Sequence, residues 1–190
     1  MKTGGHNVIY EEPGDVWFFV YGSLMWDAPF PVAETRHALL RGYHRAFCVQ
    51  SLIYRGTPER PGLSLGLDFG GSCRGITLRV AASERNDVAR YLEQRELRED
   101  IYFCRRVTVT TREGRIPAYA FVVNRTDPIY AGKQSLENMA VCIAGASGER
   151  GPNRDYVAGA VQHLDKLGIA DGPIHALLRR VDEIQGKEET

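Results

Sequence analysis

Apolar and polar positions change rhythm along this chain. Val16 to Val20 is a short apolar run, the length of a buried strand. Tyr43 to Tyr54 mixes β-branched, aromatic and polar residues and predicts one or two strands. Leu63 to Asp68 alternates with serine and glycine, and Gly70-Gly71 then predicts a turn. Ile76, Leu78 and Val80 fall on one face of a half-buried strand over Gly75 to Val80. Val107 to Thr111 and Ile116 to Val123 predict a pair of strands around a Glu113-Gly114 turn.

Helical periodicity takes over elsewhere. Ser83 is a candidate N-cap for a helix running to about Leu97. Leu136 to Ala146 predicts a short helix. Arg154 to Leu167 predicts a better one, with Val157, Ala160, Val161 and Leu164 at helical spacing and Gly168 as its stop. Ile174 to Ile184 predicts the last. These elements imply an α+β fold, a mostly antiparallel sheet with flanking helices. Residues 1–15 carry no periodic pattern and read as a loose segment, residues 16–185 as one domain, and residues 186–190 as a tail.

Composition narrows the classes. Of 190 residues, 43% are hydrophobic and 25% charged, enough to bury a core, and 24 basic side chains balance 24 acidic ones. That balance offers no basic footprint for nucleic acid or a membrane surface. No apolar run reaches the roughly 20 residues of a membrane span, and MKTGGHN lacks the apolar stretch of a signal peptide. A cytoplasmic location is therefore expected. Cys48, Cys73, Cys104 and Cys142 show no CxxC spacing, and the five histidines show no ligand spacing. No metal or other cofactor is expected. GASGERG, residues 145–151, is glycine-rich but lacks the Gly-Lys-Ser/Thr of a phosphate-binding loop.

Two stretches carry candidate chemistry. Val20-Tyr21-Gly22-Ser23-Leu24-Met25 breaks a buried strand with turn residues while keeping large side chains on both flanks. A strand ending this way can aim successive backbone N–H groups at one point, where they would bind a carboxylate or an oxyanion. Glycine would supply unusual backbone angles and room for close approach. An ordinary tight turn fits the same pattern. The second stretch is ARYLEQREL. At 100° per residue, Val88, Ala89, Tyr91 and Leu92 share an apolar arc that also holds Arg95, Glu96 and Glu99, with Glu93 nearer its edge. A carboxyl group facing a core is a candidate acid or base or one half of a buried ion pair. Periodicity alone does not choose among these.

Ordered blocks across Trp17 to Leu178 resemble the ChaC-like γ-glutamylcyclotransferases, the glutathione-specific group. The blocks are FFVYGSLMW, GYHRAFCVQS, YRGTPERPGLSLGLDFGGSCRGI, YLEQREL, FVVNR and GASGERGPNRDYV. The resemblance implies a small mixed, mostly antiparallel barrel with helices, acting on glutathione without a cofactor. It implies that the loop Val20, Tyr21, Gly22, Ser23, Leu24 and Met25 receives the γ-glutamyl group and that Glu96 is the catalytic acid/base. Tyr156 is a further candidate as a hydroxyl donor and Arg55 for the glycine carboxylate, each beside a structural alternative: core packing for Tyr156, a salt bridge for Arg55. Two other functions stay open, a cyclotransferase of broader γ-glutamyl range and a non-catalytic binding protein using the same pocket. Protein partners are not specified.

Overall fold

A computed structural model describes residues 9–96 and 101–188. Five strands close into a barrel in the order β1-β3-β2-β4-β5. They are β1 (Val16–Val20), β2 (Glu34–Ser51), β3 (Gly62–Val80), β4 (Tyr102–Thr111) and β5 (Gly114–Val123). β1 runs antiparallel to β3 and parallel to β5, where Phe18 pairs with Tyr119. That parallel seam makes the barrel mixed, and the ladders β2–β4 and β4–β5 are antiparallel. The remaining elements are a 3₁₀ turn (Ser23–Met25), α1 (Arg85–Glu96), α2 (Leu136–Gly145), β6 (Ser147–Gly148), β7 (Gly151–Pro152), α3 (Asn153–Lys166) and α4 (Gly172–Glu188).

Two compact units organise the chain, one built from residues up to Arg45 with Leu67–Asp127, the other from Ala46–Gly66 with Pro128 onward. β2 and β3 each run from one unit into the other. In the first unit Phe19, Tyr21, Leu40, Leu67 and Val109 fill a core against the small side chains Ala118 and Ala120 of β5. Large residues facing small ones is how a narrow barrel interior fills without overpacking. In the second unit, α4 lies against α2 and α3, burying Ile143, Leu164 and Leu177. Arg180 binds both oxygens of Glu137 at 2.6 and 2.8 Å across the α2–α4 seam.

Several expectations needed correction. The Gly70-Gly71 pair does not reverse the chain. Both glycines take positive φ, 100° and 69°, inside one 19-residue strand. They bend β3 rather than end it, as glycines in bulged strands do. β2 likewise begins at Glu34, well before Tyr43. Gly42, at φ 85°, interrupts its alternation: Ala38 and Leu40 are buried before it, Arg45, Phe47 and Val49 after it. The inward parity switches from even to odd, the result of one residue out of step. α1 begins at Arg85, with Val88 N–H donating to the Glu84 carbonyl, so Ser83 lies in the preceding turn. Its expected end at Leu97, and Glu99, lie outside the described residues. α4 runs on to Glu188, so residues 186–188, expected as part of a tail, continue a helix.

Residues 9–15, expected to be loose, are tied down. Ile9 is 1% exposed, and Tyr10, Glu12 and Asp15 bond to residues 64 or more positions away. Such contacts leave no periodic trace in a sequence. No helix among the described residues is long and apolar enough to cross a membrane.

Candidate active site

Strand β1 delivers the first part of the site. Val20 is buried at its end, and the chain then enters the 3₁₀ turn. Met25 N–H donates to the Gly22 carbonyl at 2.9 Å, and the N–H groups of Trp26 and Asp27 both reach the Ser23 carbonyl. Such a turn leaves its first N–H groups, those of Gly22, Ser23 and Leu24, without partners inside the turn. Met25's N–H is engaged, which removes it from the candidate donors. Gly22 has φ −125°, a value open to any residue, so positive φ does not explain its presence.

Large side chains hold this turn. Tyr21, Leu24 and Met25 are buried, and the Tyr21 hydroxyl donates to the Phe121 carbonyl at 3.0 Å. Arg45, 5% exposed, grips the same segment from β2. Its Nε donates to the Tyr21 carbonyl at 2.5 Å and its Nη2 to the Arg74 carbonyl at 2.7 Å, with Met25 Sδ 3.8 Å away. A buried guanidinium is costly unless its donors are met, and here backbone carbonyls meet them. Gly75, beside Arg74, passes close by. A Cβ there would lie 2.5 Å from the Val20 carbonyl and 2.9 Å from the Phe19 ring.

Helix α1 delivers the second part. Val88, Ala89 and Leu92 are buried, as the apolar arc requires, and Glu96 is the last described residue of the helix. Arg95 joins helix to loop. Its Nη2 donates to Ser23 Oγ at 2.8 Å, its Nη1 to the Tyr91 hydroxyl at 3.0 Å and its Nε to Glu96 Oε1 at 2.9 Å. Ser23 and Glu96, far apart in sequence, thus share one guanidinium. The Glu96 side chain is 17% exposed and that of Arg95 29%. Burial pushes the Glu96 carboxyl above the ordinary carboxylate range, and the Arg95 charge and hydrogen bond pull it part of the way back. Glu96 is thus ion-paired, as the structural alternative for a core-facing carboxyl has it, while burial raises its proton affinity.

Arg55 and Tyr156 belong to the second unit. There they meet each other, the Arg55 guanidinium 5.3 Å from the Tyr156 ring centre. Arg55 Nη1 donates to the carbonyls of Arg150 and Pro152 at 2.6 and 3.3 Å, and Tyr156 packs edge-on against Phe47. The same unit explains the glycine-rich blocks. GASGERG forms the end of α2 and the β6–β7 hairpin, whose Glu149 and Arg150 N–H groups bond to the carbonyls of Ile53 and Tyr54. A Cβ on Gly148 would lie 2.3 Å from the Ile53 carbonyl, and one on Gly56 2.1 Å from Gly62 N. Backbone packed on backbone demands these glycines. No group of His, Cys, Asp and Glu among the described residues is arranged to hold a metal ion.

Arg45, Arg95 and Tyr91 carry the site's geometry without having been singled out as functional from sequence. Arg95 stood on the apolar arc beside Glu96. Arg45 shares parity with Phe47 and Val49 in β2, and an arginine at an inward strand position signals bound acceptors.

A family model described as ChaC-like protein matches residues 16–184. The chain is 33% identical over 174 residues to the glutathione-specific gamma-glutamylcyclotransferase of Escherichia coli K12, covering 91% of this chain and 75% of that protein. It is 31% identical over 189 residues to gamma-glutamylcyclotransferase 2-3 of Arabidopsis thaliana, covering 92% of each. The crystal structure of the yeast gamma-glutamyl cyclotransferase specific to glutathione superposes with a TM-score of 0.80 at 21% identity, covering 90% of this chain and 99% of that one. That likeness concerns the fold; the family model and the sequence matches make this chain a member of the ChaC-like family.

Proposed function

We propose that this protein is a glutathione-specific γ-glutamylcyclotransferase, a lyase-type enzyme that converts glutathione to 5-oxoproline and cysteinylglycine. The observation that carries the proposal is the part-buried Glu96, joined through Arg95 to Ser23 of the strand-end turn. The Escherichia coli relative, a glutathione-specific gamma-glutamylcyclotransferase, supports the choice of glutathione.

The chemistry needs no water. The α-amine of the glutamyl group attacks its own γ-carbonyl carbon, a C–N bond forms, a five-membered lactam closes, and the C–N bond to cysteine breaks. Nucleophile and electrophile already share one molecule, so holding them aligned can supply up to about 7–11 kcal/mol. The α-ammonium must first lose a proton, and the departing nitrogen must gain one. Glu96 does both, accepting the first proton and delivering it to the leaving nitrogen. The second proton shed by the ring nitrogen ends on the freed amine, leaving cysteinylglycine as its ammonium. A carboxyl whose proton affinity is raised by burial suits this exchange, because it holds the proton more readily than an ordinary carboxylate before returning it.

The turn Gly22-Ser23-Leu24 offers the N–H groups for the glutamyl carboxylate and the developing oxyanion, walled by Tyr21 and Met25. Arg95 fixes the Glu96 carboxyl and the Ser23 hydroxyl in one frame. Arg55 and Tyr156 are separate candidates for contact with the rest of the substrate. The proposed location is cytoplasmic. The deciding experiment incubates purified protein with glutathione and measures 5-oxoproline and cysteinylglycine. Equal amounts of the two products are expected, and the absence of both would overturn the assignment.

A further inference from the structure

The segment before β1 lies outside the stretch matched by the ChaC-like family model, which begins at residue 16. It is nonetheless bonded to the helix that carries Glu96 at two places. Near the helix end, the Tyr10 hydroxyl donates to Glu93 Oε2 at 2.7 Å. Glu93 is three residues before Glu96, so the two side chains leave neighbouring turns of α1. Burial, then the Glu93 carboxylate, pushes the Tyr10 phenol up to about 12, so it stays a donor at any physiological pH. At the helix start, Arg85 Nη1 reaches the carbonyls of Glu12 and Gly14. Asp15 accepts from Ala82 N–H at 3.0 Å in the turn leading into α1.

The same segment is fixed to the barrel wall. Ile9 is fully buried. Glu12 Oε1 accepts from the Tyr119 hydroxyl of β5 at 2.7 Å and pairs with Arg106 of β4 at 3.4 Å. Asp15 pairs with Arg79 near the end of β3 at 2.5 Å. Residues 9–15 therefore bridge three barrel strands to both ends of α1, all within one compact unit.

From this arrangement we infer that residues 9–15 form a clamp that sets the position of α1, and that Tyr10 is a positioning residue for Glu96. The inference rests on the acid/base role of Glu96. Tyr10 touches no reacting atom. It acts by holding Glu93, and with it the last described turn of α1, at the height where the Glu96 carboxyl meets Arg95, which in turn bonds Ser23. Proton transfer is steep in distance, and a displacement near 1 Å can lower a rate by about a hundredfold.

The test is Tyr10→Phe in the full chain, which keeps the ring and deletes the hydroxyl. Turnover of glutathione should fall about tenfold in kcat with KM within about twofold, since a partial loosening costs less than a full 1 Å displacement. Amide hydrogen exchange across residues 88–96 should quicken in the same variant. Arg85→Gln, which releases the other end of the helix, should give the same pair of effects and serves if the first variant folds poorly. Faster exchange with wild-type kcat would make the segment merely structural and overturn the inference. A lower kcat with unchanged exchange would overturn it too. Glu96→Gln measured alongside separates the two possible failures. Near-normal turnover in that variant overturns the acid/base assignment itself, whereas an inert Glu96→Gln beside a fully active Tyr10→Phe overturns the clamp alone.

Discussion

Glu96 stands between opposing influences, burial that favours its protonated form and the Arg95 guanidinium that favours the carboxylate. Glu96→Gln keeps size and hydrogen bonding but cannot exchange a proton. Acid–base groups contribute about 10²–10⁴ in rate, and one group serving two transfers should sit near the upper end. The expected result is a loss of about that size in kcat, read as cysteinylglycine release. Stability follows the sign of the shift. A carboxyl whose folded pKa lies above its ordinary 4.5 favours the folded state while protonated, and that contribution is lost as pH rises through the folded value. At neutral pH the glutamine variant should therefore melt at the same temperature or higher, which a thermal scan will read. Arg95→Gln tests the opposite influence. Without the guanidinium, burial acts unopposed and the Glu96 pKa rises further. The acid limb of the kcat profile, which needs the carboxylate form, should move to higher pH, with Arg95→Lys returning it part of the way. Glu96 was legible as one of several residues on an apolar arc and was selected by resemblance. Its frame was not, because Arg95, Ser23 and Tyr91 meet only once β1 and α1 have folded.

At the scale of elements, legibility followed the reach of the signal. β1, the β4–β5 hairpin with its Glu113-Gly114 turn, and the helices α2 and α3 were readable because their periodicity and turn chemistry are local. α3 ends as Gly168 suggested, at φ 63°, with Ile169 N–H closing back on the Leu164 carbonyl at 2.8 Å. β3 was not readable, since Gly70-Gly71 gives the same signature whether a chain turns or bends. Nor was the role of Asn153, the first residue of α3, whose buried side chain replaces a backbone ladder. Asn153 is fully buried, its Oδ1 accepting from Leu63 N–H at 2.6 Å and its Nδ2 donating to the Leu63 carbonyl at 2.8 Å. One amide thus satisfies both backbone groups of one β3 residue. Asn153→Ala leaves both without that partner, at roughly 1–3 kcal/mol for each buried group left unsatisfied. A clear drop in denaturation midpoint is expected. A midpoint within error of wild type would mean that water takes over both bonds.

Across the whole molecule, the parts assigned to chemistry are few: one turn and the end of one helix. The proposed ring closure involves only the γ-glutamyl group, which glutathione shares with γ-glutamyl-alanine and γ-glutamyl-ε-lysine. Ring closure therefore cannot by itself distinguish these substrates. Discrimination has to come from the portion that leaves, through binding energy that is used to orient the γ-carbonyl rather than to react with it. Glutathione should accordingly exceed both analogues in kcat/KM, and part of the difference should lie in kcat, because energy from a remote group is realised as alignment at the reacting centre. Single-substrate kinetics on the three compounds will measure both parameters. If only KM differs, the leaving portion adds affinity without alignment. If kcat/KM is equal for all three, the protein reads the γ-glutamyl group alone, and the broader-range cyclotransferase becomes the better assignment.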